Sequence, residues 1–209
     1  MFIYLIVCYS TKYTLFQSNG QLYSIDLLMH NELLYNNSVI SQNLDSIIIW
    51  DKNYKISWDD FSGKKFISKD DVAAKSFSVL HYIPGYHKNS SYSYTIIPVF
   101  YKYKSSVTDR NSKLLEHEQI HFDIQEIFAR KIRKQFEILK NCKKSEYTHR
   151  KIFNNYLDSL RNYQEKYDLD TDYSLVKKKQ EFWKAIVAKK LKQLDSYSMG
   201  NLYHIKKEN

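Results

Sequence analysis

Two periods of apolar residues divide the chain. Up to about residue 107 they come in short runs or alternate with polar positions, and from residue 112 they return every three or four positions. The first period belongs to strands with a buried face, the second to amphipathic helices. Strands are therefore expected in "SIIIW" (46–50), "YKISW" (54–58), "AKSFSVLHYI" (74–83) and "YSYTIIPVFYKYKSSV" (92–107), all rich in β-branched and aromatic residues. Turn-forming clusters such as "IPGYHKNSS" separate them. Pro98 lies inside the last run, and because proline cannot donate to a ladder it predicts an edge position or a bulge.

The helical period starts after Asn111 or Ser112, either of which can cap the first turn, and runs through Leu114, Ile120, Ile124, Ile127, Phe128 and Ile132. A second helix is expected from Ser145, carrying Ile152, Phe153, Tyr156, Leu157, Leu160 and Tyr163. A third is expected from near Ser174, carrying Val176, Trp183, Ile186, Val187, Leu191 and Leu194. The predicted class is α+β, a small N-terminal β-sheet region followed by three helices.

Composition narrows this picture. With 209 residues, 43% of them hydrophobic, the chain can bury a core as one domain, and four glycines and two prolines argue against both disorder and a turn-dense β-sandwich. Two cysteines, Cys8 and Cys142, exclude a disulfide framework and a cysteine-rich zinc site. The net charge is +9. Residues 1–50 hold one lysine against three acids, so the positive excess lies beyond them, in runs such as Lys177, Lys178, Lys179 and Lys189, Lys190, Lys192. These read as a solvated helix face, with an anionic surface as the other reading; no nucleic-acid partner is expected, since arginine is scarce in them. The opening "MFIYLIVCYSTK" is too short to span a bilayer and lacks a basic start, so it is either a clipped export signal or a buried first strand.

The chemistry lies in "LLEHEQIHFD" (114–123). His117 and His121 are one helical turn apart and can offer two imidazoles to one ion, while Glu118 stands beside it. This is the HExxH arrangement, in which the histidines bind zinc, a third residue completes the protein ligands, and the glutamate takes a proton from a zinc-activated water. The other reading is two surface histidines on an amphipathic helix. The match falls on a predicted helix with apolar neighbours Leu114, Leu115 and Ile120, as the mechanism requires.

"LLEHEQIHFDIQEIFARKIRK" resembles the core of a bacterial domain-of-unknown-function family of predicted secreted zinc-dependent proteases, with its HEQxHFDI motif followed by a Glu and an Ala-Arg pair. "ISWDDFSG" (56–63) is similar to that family's Trp-x-Asp-Phe-x-Gly element, and "DVAAKSFSVLHY" to the strand after it. "EKYDLDTDYSLVKKKQEFW" resembles its downstream Tyr-Asp-x-x-Thr segment, which leads into a helix with Gln and Trp. The likeness spans about residues 45–195. It implies one zincin-like domain over 45–209, with the motif on the first long helix, preceded by an N-terminal segment over 1–44 that holds strands and part of an export signal. Where the family shows Ser-Trp before this helix, the chain has Ser105 and Ser106, a change that bears on packing.

The resemblance also implies an activity: a zinc metallopeptidase, secreted, periplasmic or associated with the cell envelope, acting on a peptide or protein substrate. Glu118 is then the general base, and His117 and His121 are zinc ligands. The family tends to place a histidine where this chain has Tyr173, so Tyr173 is the implied third ligand, with Asp168, Asp170, Asp172 and Glu126 as alternatives and His149 as another imidazole within reach. A phenol binds zinc weakly, and this motivates a second reading, an inactive relative that serves as a metal-binding or interaction module. Asp123 and Glu126 are expected to hold the imidazole N–H groups, and Arg130 to pair with an interior carboxylate. Trp58 and Phe61 are expected in the core, and His81 away from the site.

Overall fold

The computed structural model describes residues 46–64, 73–86, 92–139 and 146–199, with backbone alone for 13–18, 21–26, 83–86, 92–93 and 146. Strands β1 (Tyr13–Ser18) and β2 (Gln21–Asp26) form an antiparallel hairpin. β3 (Ile47–Ile49), β5 (Ser78–Tyr86) and β6 (Tyr92–Tyr101) form a three-stranded antiparallel sheet in the order β3-β6-β5. β4 (Ala74–Lys75) pairs with β7 (Ser106–Val107). Three helices follow: α1 (Ser112–Leu139), α2 (Glu146–Thr171) and α3 (Lys177–Gln193). The class is α+β, as the two periods predict. The expected export signal and Cys8, at residues 1–12, and Cys142 lie outside the described residues.

Three strand expectations are corrected. "YKISW" forms no strand, because its polar backbone is satisfied elsewhere: the Ile56 N–H donates to Gln119 Oε1 on α1 (2.8 Å), and the Ser57 N–H to Asp60 Oδ2 (2.8 Å). Pro98 sits in the central strand rather than at an edge. Its carbonyl accepts from the Trp50 N–H (3.2 Å), one residue past the end of β3. In an antiparallel pair a residue's N and O face the same neighbour, so the missing donor falls where the ladder has already stopped. The "IPGY" stretch continues β5 to Tyr86 instead of forming a turn, and β5 is an edge strand that tolerates Pro84.

The Trp-x-Asp-Phe-x-Gly element becomes a 3-10 turn at Trp58–Asp60. Burial alone would raise the Asp60 carboxyl, but the Ser57 N–H, the Tyr54 hydroxyl and Lys102 hold it below the usual range. Phe61 is buried and packs on Phe100 with ring centroids 5.3 Å apart, and Trp58 leans on Phe61 at 4.9 Å. Gly63 donates its N–H to the Ser105 carbonyl (2.8 Å), and a side chain there would meet the carbonyl oxygens of Ser105 and Tyr103 at 2.8 Å. The glycine is set by close approach of two backbones.

Asn111 caps α1 through Leu114 N–H to Asn111 Oδ1 (2.9 Å). From Ile120 to Arg130 every residue of this helix is buried. The reason is its place: Ile120, Ile124, Ile127, Phe128, Ile132 and Phe136 share one cluster with Leu80 and Ile96 of the sheet, Phe153 and Leu160 of α2, and Trp183 and Val187 of α3. A second cluster joins Leu114 and Phe122 to Ile48, Phe61 and Phe100. Each such side chain contributes roughly 1.5–3 kcal/mol on burial.

Burial on all sides forces the polar residues of α1 to find partners inside. Glu126 is 1% exposed and takes both Arg130 Nε (2.8 Å) and Arg133 NH1 (2.9 Å) on Oε1. Arg133 also donates to the Ile96 carbonyl of β6 (2.6 and 2.9 Å), and Arg130 to the Leu191 carbonyl of α3 (2.7 Å). One carboxylate thus ties three elements together, and Arg130 has the interior partner expected of it. Glu126→Ala strands two buried guanidiniums and should lower unfolding free energy by about 3–5 kcal/mol, read by urea denaturation. A loss below about 1 kcal/mol would mean that the carbonyls alone satisfy the arginines.

Candidate metal centre

His117 and His121 face inward from α1, 3% and 4% exposed, toward a third buried group on α2, Asp168. Asp168 Oδ1 lies 3.0 Å from His117 Nε2 and 2.7 Å from His121 Nε2, and the two Nε2 atoms are 3.0 Å apart. Three donor atoms from two helices therefore meet at one point.

The far sides of the rings decide what the near sides can do. Gln164 donates its amide N–H to the His121 carbonyl (3.0 Å), which turns its Oε1 to the Nδ1 of the same residue, where the two form a short hydrogen bond. An amide oxygen only accepts, so Nδ1 carries the proton. Gln180 Oε1, on α3, accepts from the Tyr167 hydroxyl (2.8 Å) and lies 3.4 Å from His117 Nδ1. Tyr167 is fully buried and stacks on the His117 ring at 4.5 Å between centroids, and its edge meets His121 at 4.9 Å. Protons on both Nδ1 atoms leave both Nε2 lone pairs aimed at the shared point.

Burial pushes the His121 imidazole down, but Asp168 overrides it, followed by Glu118 and Gln164, and holds it up at about 9. Burial likewise pushes the Asp168 carboxyl up, and His121 and His117 hold it down at about 2. The pair favours a positive charge between its members, whether a proton or a metal ion supplies it. Glu118, also buried, accepts a short hydrogen bond from the Ser76 hydroxyl in the link between β4 and β5.

The structure places Asp168, and not the expected Tyr173, beside the two histidines. The apolar pattern carries the second helix only to Tyr163, but α2 continues to Thr171, so the side chains of 164–171 point by helical position. Gln164, Asp168 and Thr171 share the buried face, whereas Asp170 turns away to Lys166 (3.0 Å) and the Trp183 indole (3.1 Å). Asp172 and Tyr173 lie past the helix end with φ of 47° and 51°, and Tyr173 is 43% exposed. Asp168, one of the alternatives, stands in the place assigned to Tyr173. Glu126 belongs to the arginine cluster, and His149 is stacked on Tyr94 at 4.3 Å. His81 bonds Tyr101 (2.8 Å), and burial followed by Lys104 lowers its imidazole to about 4.

The expected imidazole partners are corrected as well. Asp123 accepts from the Trp50 indole (2.7 Å) and from Gln119 (2.8 Å), so it fastens α1 to the end of β3. Two glutamines take that role, Gln164 and Gln180, with Tyr167 as a wall. Their signal was present in the chain: Gln164 and Asp168 repeat the four-residue spacing of His117 and His121 on the next helix, and Gln180 is the Gln of the downstream segment.

The donor set fits a metal ion. Two neutral imidazoles and a carboxylate are the protein ligands typical of a hydrolytic zinc centre, in which donors sit about 2.0–2.2 Å from the metal. Around a tetrahedral ion that spacing corresponds to donor separations of about 3.3–3.6 Å, wider than the 2.7 and 3.0 Å here. Among the described residues, His117, His121 and Asp168 are the group that could hold such an ion.

The fold and site are those of an α+β protein in which two histidines and one carboxylate, buried across a helix pair, could hold a metal ion. Residues 104–174, which span α1 and α2 with all three ligand candidates, match the model of a family described as bacterial protein of unknown function (DUF922). The match covers about a third of the chain and shows what this segment is similar to. No curated protein and no solved structure matches the chain.

The two shifts set a pH dependence for chelator-treated protein. The raised His121 contributes stability that is complete below its unfolded value of 6.5 and is lost as pH rises through about 9. The lowered Asp168 contributes stability present above 3.8 and lost as pH falls through about 2. Melting temperature should therefore fall between pH 6.5 and 9, and Asp168→Asn should flatten that fall. An equal slope in the variant would show that other groups carry it.

Proposed function

We propose that the protein is a zinc-dependent metallopeptidase that hydrolyses peptide bonds. The observation that carries the reading is the convergence of His117 Nε2 and His121 Nε2, on the helix that also presents Glu118, with Asp168 Oδ1 of α2, all within 3.0 Å of one another. His117, His121 and Asp168 hold the ion. Bound there, zinc supplies a Lewis acid that acidifies a water and polarises a carbonyl.

The remaining chemistry belongs to the chain. Glu118 accepts the proton of the attacking water on its carboxylate and later delivers it to the departing amine. The Ser76 hydroxyl orients that carboxylate from the sheet side. Gln164 and Gln180 fix the tautomer and tilt of the imidazoles, and Tyr167 excludes water behind them.

The inactive-module reading was motivated by a phenol as third ligand. A carboxylate is a competent ligand at neutral pH, so that motive weakens. Export to the periplasm or the outside is part of the proposal and rests on the family resemblance and the apolar N-terminus. Among the described residues no helix is long and apolar enough to cross a membrane.

Purified protein should hold close to one zinc per chain by elemental analysis, a measurement that also distinguishes zinc from iron(II). Glu118→Gln keeps volume and zinc but cannot take a proton near neutral pH, so hydrolysis of a denatured protein substrate should fall by at least about two orders of magnitude. Wild-type turnover in that variant would remove Glu118 from the mechanism.

The third ligand has its own test. Asp168→Ala should strip zinc, with an affinity loss of about a hundredfold or more, while Tyr173→Phe should leave zinc content and activity unchanged. Zinc loss in Tyr173→Phe with retention in Asp168→Ala would reverse the assignment.

A further inference from the structure

Away from the metal centre, α1, α2 and α3 border a cavity of about 570 Å³ that is open to solvent. Three of its lining residues are lysines, Lys131 and Lys134 from α1 and Lys190 from α3, and the amides of Gln135 and Gln193 stand among them. The apolar wall includes Tyr156. The lysine-rich last helix noted in the sequence thus does more than face solvent: its Lys190 lines the same cavity as Lys131 and Lys134 of α1.

These charges are held by rings rather than by acids. Lys131 Nζ lies 4.2 Å from the Phe128 centroid and 5.9 Å from that of Tyr163, and Lys190 Nζ stands 5.9 Å from the same Tyr163 ring. Lys134 Nζ lies 5.7 Å from Tyr197. Among the described residues no carboxylate forms an ion pair with any of the three, and Asp195 turns to Arg130 (3.3 Å). Burial, and then Lys190, pull the Lys131 ammonium below its ordinary range. A ring face steadies an ammonium group but cancels none of its charge, so the like charges that share Tyr163 repel each other until an anion lies between them.

From this cavity, its three lysines that pair with no carboxylate among the described residues, and its two amides, we infer that the protein binds a phosphomonoester here. The group's two negative charges and terminal oxygens meet the lysines and amide N–H groups, and the organic part lies on Tyr156. The volume is that of a small-molecule site rather than of a bare ion. The ligand is either a free organic phosphate or the exposed phosphate of a lipid headgroup; both present the same chemistry to the lysines. The site is independent of the metal centre and of any hydrolytic activity.

The test uses the full chain at low salt with two probes, free glycerol 1-phosphate by calorimetry and phosphatidylcholine vesicles with or without phosphatidic acid by flotation. The comparison protein is Lys131→Met/Lys190→Met, which keeps side-chain length and removes the repulsion, so its melting temperature should not fall. At least one probe should bind, with affinity about tenfold or more weaker in the double variant and weakened by added salt. Binding of glycerol 1-phosphate identifies a free ligand, and binding of phosphatidic acid vesicles alone identifies a headgroup. Failure of both probes overturns the proposal, as does binding that survives in the double variant, because any phosphate held at the metal centre would do so. Retention of a single-stranded oligonucleotide with neither probe bound would replace it with a nucleic-acid surface.

Discussion

Two imidazole nitrogens and a carboxylate oxygen, all within 3.0 Å of each other and all buried, cannot share that space unless positive charge lies between them. This electrostatic constraint organises the helical half of the chain. It fixes the facing of α1 against α2, since His117 and His121 come from one and Asp168 from the other. It also explains the two glutamines behind the rings: an Nδ1 proton anchored on an amide oxygen is what commits Nε2 to the shared point.

Holding those groups requires a helix buried on every side, and that is expensive for a sequence as polar as α1. Its hydrophobic residues fill the interface between sheet and helices, but Glu126, Arg130 and Arg133 are enclosed with them. The chain resolves this by closing the charges on one another and on the carbonyls of Ile96 and Leu191. Removing one partner of such a cluster is costly even where the whole cluster adds little net stability. The cluster ties α1 to β6 and α3, and Asp123 ties it to Trp50 at the end of β3.

The turn after α2 completes the arrangement. Asp172, Tyr173 and Ser174 adopt positive φ, a conformation unfavourable for residues with side chains. The Tyr173 N–H to the Asp168 carbonyl (3.0 Å) and the Val176 N–H to the Thr171 carbonyl (2.9 Å) hold it. The sharp reversal returns α3 alongside α1, where Gln180 reaches both Tyr167 and His117.

Much of this was legible along the chain. Hydrophobic period distinguished strands from helices, and the four-residue spacing of His117 and His121 selected a shared face, because both depend only on the local repeat of the backbone. Periodicity could not tell that α2 runs on to Thr171, so it did not separate Asp168, on the buried face of the helix, from Tyr173, past its end. Nor could it find that Asp123 serves Trp50 while Gln164 and Gln180 serve the histidines. Which polar residue meets which depends on how helices distant in sequence pack, and a buried ring nitrogen takes the partner that packing brings to it. Local repeats determined the elements and the motif; the meeting of Asp168 with the two histidines, the glutamines that orient the imidazoles and the place of Pro98 were decided only by tertiary contacts, since each is a relation between segments that no single stretch contains.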